Sequence, residues 1–158
     1  YSMHLPLDGH PELGNAAQLA RSLGWRSLKP FFEHKGAFLG VRTTVRSPVD
    51  RQVLAGQLEQ VLGRSVTVLA GGPPGCRRIG ICTGGAGSEI ALAAREGVDT
   101  FITGEGPHWT HALAEDLGMN VLYGGHYATE TFGVKALAAE LARQFQVPWQ
   151  FLDHPSGL

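Results

Sequence analysis

Cysteine is scarce in this chain. Cys76 and Cys82 are its two thiols, and without C-x-x-C spacing they support neither a disulfide framework nor a thiolate zinc site. Both are expected to be buried or inert. No apolar run approaches the roughly 18 residues that a membrane-spanning helix needs. The opening YSMHLPLDGH has neither the basic stretch nor the apolar stretch of an export signal, so the expected compartment is the cytoplasm. An excess of charge of one sign is also missing: 13 Lys and Arg stand against 14 Asp and Glu. That balance gives no electrostatic case for nucleic acid or anionic lipid as partner. Tandem repeats and low-complexity tracts are absent too.

The 158 residues suit one compact domain, which at this size buries roughly 70% of the surface of its unfolded chain. In 8-DGHPELGNAAQLARSLGW-25 a loop precedes a helix on which Ala16, Leu19, Ala20 and Leu23 recur at helical spacing until Gly24. The segment 31-FFEHKGAFLGVRTTVRS-47 predicts a hairpin around Lys35-Gly36, and a helix over 49–63 follows, with Pro48 marking its start. After strand 66–70, the tract 71-GGPPG-75 is a tight connection or a boundary between lobes. Strands at 78–84, 98–104, 120–124 and 148–154 then alternate with helices at 88–97, 110–118 and 129–145. Such alternation predicts a layered α/β domain with a mostly parallel sheet in the C-terminal half. In sheets of this kind function collects in the loops leaving the carboxyl ends of the strands, which here are Gly84 to Ser88, Gly104 to His111 and Gly124 to Glu130.

Three of the polar stretches hold metal-ligating residue types. In 124-GGHYATE-130, His126 and Glu130 are spaced to converge on one cation if a helix begins near His126. A first-turn Glu favoured by the helix dipole explains the same spacing. The Gly124-Gly125 pair tilts the reading toward a site, since it lets the backbone turn sharply and approach a ligand. In 4-HLPLDGH-10, Asp8 is a candidate ligand or an Asx-turn residue, His4 a ligand, a neighbour of one, or a general base, and His10 a solvated loop residue. In 103-TGEGPHWTH-111, Glu105, His108 and His111 follow a strand, and a polar loop-to-helix transition accounts for the two histidines equally well. The glycine-rich 83-TGGAGSE-89 has neither the P-loop lysine nor the full G-x-G-x-x-G spacing, so it reads as a tight turn with Ser88 as helix N-cap.

Taken together, 1-YSMHLPLDGHPELGNAAQLARSLG-24, 80-GICTGGAGSEIALAAREGVDTFITGE-105 and 120-NVLYGGHYATETFGVKALAAEL-141 resemble the Ngg-interacting-factor-like family of dinuclear-metal proteins, the GTP cyclohydrolase I type 2 homologues. The resemblance implies a two-lobed α/β fold with a metal cleft between the lobes, a lobe boundary near 71–75, and ring-shaped hexamers. It implies a centre of two divalent ions, zinc, manganese, iron or magnesium, held by Asp8, His126 and Glu130. His4 and Glu105 are the expected proton carriers. Family members usually add ligands from a His-His pair upstream of Y-x-x-H; this sequence contains no such pair, and the chain is expected to lack an N-terminal part. The expected activity is metal-dependent hydrolysis through metal-activated water, on GTP or another nucleotide or phosphoester. The alternative is a ring-forming metal-binding scaffold or regulatory interaction protein without turnover.

Overall fold

The computed structural model describes residues 4–155. Short helix α1 (Leu5–Asp8) leads to α2 (Asn15–Ser22), and a hairpin of β1 (Lys29–His34) and β2 (Ala37–Asp50) follows. Its turn is the predicted one: Lys35 and Gly36 both have positive φ, 50° and 81°. Two left-handed central residues match the twist of the flanking strands. Helix α3 (Arg51–Leu62) is capped by Asp50, whose carboxylate accepts from the backbone of Gln52 and Val53. The cap therefore sits beyond Pro48, which lies within β2. The rest of the chain is β3 (Thr67–Ala70), β4 (Gly75–Ile81), a 3-10 turn (Ala86–Glu89), α4 (Ile90–Arg95), β5 (Thr100–Thr103), α5 (Thr110–Asp116), β6 (Asn120–Tyr123), α6 (His126–Thr129) and α7 (Thr131–Phe145).

All six strands form one sheet in the order β1-β2-β4-β5-β6-β3. It is a mixed sheet and not the mostly parallel one expected, because β1, β2 and β3 join it antiparallel. β4, β5 and β6 run parallel, with crossovers through α4 and α5, and this is the predicted parallel part. β1–β2, β2–β4 and β3–β6 are antiparallel pairs. The strand expected at 148–154 does not form. The open side of β6, where it would have continued the parallel series, is taken by β3. The tail instead lies along α6 and α7: the Tyr127 hydroxyl donates to Asp153 at 2.9 Å, and Lys135 Nζ sits 4.2 Å from the centre of the Phe151 ring.

Alternation along the strands sends neighbouring residues to opposite faces. Phe101 and Val121 join Phe31, Phe32, Ile90 and Met119 on the face covered by α4 and α5. Ile102 and Leu122 join Leu19, Leu54, Leu58 and Ile79 beneath α2 and α3. Each such side chain taken from water stabilises the fold by about 1.5–3 kcal/mol, and the Phe32 and Phe101 rings add a stacked contact at 5.6 Å. Among the described residues no helix is long and apolar enough to cross a membrane.

The three parallel strands end together, and their loops are bonded into a shelf. Gly104 N–H donates to Gly84 O at 2.9 Å, Gly125 N–H to Gly104 O at 2.8 Å, and Gly87 N–H to Glu105 O at 3.0 Å. This shelf carries His126, Glu130 and Glu105. The α1 turn brings His4 and Asp8 against it.

Candidate metal centre

Ligand atoms of His4, Asp8 and Glu130 all lie within 4.8 Å of one another. His4 Nε2 is 3.7 Å from Asp8 Oδ2, one helical turn away on α1. Asp8 is held from behind: its Oδ1 accepts from Asn15 Nδ2 at 2.5 Å, while Asn15 Oδ1 takes the Gly133 N–H at 2.6 Å. One buried amide thus ties α1 to α2 and α7 and fixes the carboxylate.

Glu130 stands at the junction of α6 and α7, the last residue before α7 begins. His126 lies one turn earlier, its Nε2 3.4 Å from Glu130 Oε2. Its Nδ1 is 2.8 Å from Glu105 Oε1. An ionised carboxylate only accepts, so Nδ1 carries the proton and the Nε2 lone pair of the neutral ring is left facing Glu130. A carboxylate behind a ligating imidazole is the usual means of fixing its tautomer and orientation.

Two glycines make the corner. Gly125, immediately before His126, has φ 91°, and Gly84 has φ 72°. A Cβ on Gly84 would overlap the Glu130 carboxylate and come 3.1 Å from His126 Nε2. The bare backbone at the end of β4 is what admits both side chains. Thr129 closes the floor, accepting from Gly84 N–H at 3.1 Å. The corner opens into a cavity of about 330 Å³ whose wall includes Phe32, Leu39 and Cys82.

The family model of Duf34/NIF3 (NGG1p interacting factor 3) matches residues 1–156. The chain belongs to this family. It is 42% identical over 158 residues to the GTP cyclohydrolase 1 type 2 homolog of Deinococcus radiodurans, an alignment covering 100% of this chain and 60% of that protein. With the protein of the same name from Haemophilus influenzae it shares 42% identity over 159 residues, covering 99% of this chain and 63% of the relative. The crystal structure of TTHA1606 from Thermus thermophilus superposes with a TM-score of 0.87 at 42% identity, covering 100% of this chain and 62% of that one. The chain thus spans about three fifths of the length of these relatives.

The donor set of this Duf34/NIF3 chain fits a divalent cation. Two carboxylates and one or two imidazoles, with no thiolate, suit zinc, manganese, iron or magnesium. Burial raises the Glu130 carboxyl above its ordinary range, with Asp8 adding to the shift and His126 opposing it. The Glu105 hydrogen bond raises the His126 imidazole, against partial burial. A half-buried carboxylate beside another carboxylate is strained by like charge, and a cation relieves that strain.

Of the sequence-derived ligands, Asp8 and Glu130 converge. His126 adjoins them through Glu130, and His4, expected as a proton carrier, lies in the converging group. Glu105 touches His126 and not Asp8 or Glu130 in the hydrogen bonds and ion pairs of the described residues. His10 caps its own loop, its Nδ1 accepting from the Glu12 and Leu13 amides. His111 faces Glu115 at 3.9 Å, away from the corner. Ser88 does not cap: it lies inside the 3-10 turn and donates to Glu89 at 2.7 Å. Sequence reasoning missed Asn15, Thr129 and the steric role of Gly84. Asn15 could have been suspected as a polar residue at the start of an otherwise apolar helix face.

Proposed function

We propose that this chain contributes ligands to a divalent-metal centre in a metal-dependent hydrolase acting on a nucleotide or another phosphoester. The observation that carries the reading is the convergence of His4, Asp8 and Glu130 from opposite ends of the chain onto one point. His126 and the fixed Asp8 carboxylate border the same cavity. The name that the Deinococcus and Haemophilus relatives bear supports GTP as the first substrate to test.

Asp8, Glu130 and His126 would hold the metal, with His4 beside them. When bound, a divalent cation supplies Lewis-acid polarisation of substrate oxygens and acidifies water. The chain's own residues supply the arrangement. Asn15 orients Asp8. Glu105 keeps the proton on Nδ1 of His126 and the lone pair on Nε2. His4, whose side chain is 75% exposed, stands where an imidazole can pass a proton between the cavity and solvent. Phe32, Leu39 and Leu92 border the cavity beside the carboxylates, and an apolar wall lowers the local dielectric, which strengthens the attraction of carboxylates for a cation.

The test is turnover by metal-loaded full-length protein on GTP and on a generic phosphodiester, against a control of buffer plus metal. The expected result is turnover that Asp8→Ala abolishes. Absence of turnover on both, or turnover indifferent to Asp8→Ala, removes the hydrolase reading.

A specific observation also favours self-association. Val134, Leu141 and Phe145 lie along one stripe of α7 and are 47%, 42% and 60% exposed. Apolar stripes of this kind are commonly covered by a partner, consistent with a homo-oligomeric ring, the hexamer of the family resemblance. Sedimentation analysis decides: a monomer across the accessible concentration range removes this reading.

A further inference from the structure

The metal corner does not end at its own cavity. On the far side of His126 a second cavity, about 410 Å³, is bordered by Glu105, His126 and Glu130, and continues along Tyr127, Thr131 and Phe151. Tyr127, Thr131 and Phe151 also line a larger cavity of about 610 Å³, which reaches Arg64, Ser65 and Lys135. Tyr127, Thr131 and Phe151, shared by the two cavities, thus stand between the carboxylates and two cationic side chains.

We propose that Arg64 and Lys135 receive the phosphate-bearing end of a nucleoside polyphosphate, while its reacting base lies at the metal corner. This rests on the nucleotide or phosphoester reading above and names where the anion is held.

Three features support the assignment. The Arg64 guanidinium lies against Gly125: a Cβ there would overlap it, and Gly125 already needs its φ of 91°. The residue before His126 is thus bare on the side where the guanidinium approaches, which places a planar cation next to the metal corner. Lys135 is held in position by Thr131, whose Oγ1 accepts from Nζ at 3.1 Å, and by the Phe151 ring at 4.2 Å. One of its three N–H donors is engaged by Thr131, which leaves donors for a ligand oxygen. Asp153 also borders this cavity and accepts the Tyr127 hydroxyl; its single negative charge opposes an anion there and is outweighed by the two cations. A guanidinium fork and an ammonium point charge together are the usual receptor for phosphoryl oxygens. A cavity of about 610 Å³ has ample room for a polyphosphate chain.

The experiment is calorimetric titration of metal-free protein in EDTA with GTP and with guanosine, so that neither a metal nor turnover is needed. GTP is expected to bind at least tenfold more tightly than guanosine, and its affinity to fall as salt is added. Arg64→Gln and Lys135→Gln should each weaken GTP about tenfold, roughly one charge-assisted hydrogen bond, and leave guanosine unchanged. Thermal melts matching the parent protein show that the variants are folded, and Lys135→Gln carries the test alone should Arg64→Gln fail to fold. Equal binding of GTP and guanosine, no GTP binding at millimolar concentration, or folded variants that bind GTP as the parent does, each overturns the proposal. Loss of turnover with GTP binding and its charge dependence intact would remove the hydrolase reading and leave this site standing.

Discussion

Glu105 and His126, on loops that leave neighbouring strands, are joined by a 2.8 Å hydrogen bond between Oε1 and Nδ1. That bond raises the imidazole above its usual 6.5. The folded state therefore favours the protonated ring. The resulting stability is fully present below the unfolded value near 6.5 and is lost as pH rises through the folded value. Imidazole resonances followed by NMR should place His126 above 6.5 in the metal-free protein, and Glu105→Gln should bring it down. An unmoved titration in Glu105→Gln would show that the bond does not govern the ring.

At the proposed centre protons would compete with a metal for the same groups. Glu130 is raised by burial as well, so protons compete for its carboxylate at higher pH than for a free glutamate. Metal affinity should rise with pH through the range in which His126 and Glu130 deprotonate, with proton release measurable in weakly and strongly ionising buffers. Affinity that is flat with pH would contradict this.

Asn15 is 5% exposed and serves Asp8 and the Gly133 amide at once. Asn15→Leu removes both bonds and leaves a buried N–H without its partner, which costs about 1–3 kcal/mol. Urea unfolding should show that loss, and metal affinity should fall by roughly 10- to 100-fold, the usual effect of losing a group that orients a ligand. Unchanged unfolding and unchanged affinity would mean that the amide is incidental.

Much of this arrangement was legible in the sequence, and what was not has physical causes. The Lys35-Gly36 turn, the α3 segment and the parallel β4–β5–β6 series follow from local chemistry: residues tolerant of positive φ, helical periodicity, and short apolar runs separated by helices. The position of β3 was not legible. A four-residue strand carries no mark of its partner, and its antiparallel place beside β6 is a long-range outcome. It also explains why the apolar 148–154 segment forms no strand. At the site, His126 and Glu130 were visible through their spacing and Gly124-Gly125. The pairing of Glu105 with His126 was hidden, because it arises when the β5 and β6 loops bond through Gly104 and Gly125. Asn15 reads locally as an ordinary helix-start residue. Its role appears once α1, α2 and α7 meet.

Two glycines with positive φ separate strain from chemistry. Gly84→Ala and Gly24→Ala each place a side chain at a left-handed residue, φ 72° and 85°, for about 1–2 kcal/mol. A Cβ at Gly24 meets open space, while one at Gly84 meets Glu130. Both variants should lose stability, and only Gly84→Ala should lose metal binding. Equal metal affinity in the two would place Glu130 outside the centre.

Both thiols should be silent in the native protein. Burial pushes Cys82 up to about 12, with Asp8, Glu89 and Glu130 adding to the shift, and burial raises Cys76 as well. A thiol reagent should label neither at neutral pH and both after denaturation. Rapid native labelling would show that the core opens at Cys82 beside the metal corner.

We infer that Asp8, Glu130 and the histidines around them form a metal-binding corner. Its most direct test is calorimetric titration of the metal-free chain with zinc and with manganese, beside an Asp8→Ala/Glu130→Ala variant of matching thermal melt. The parent chain should bind saturably with release of protons, and the double variant should not bind. Tight binding retained by the double variant, or no binding by the parent, would contradict it.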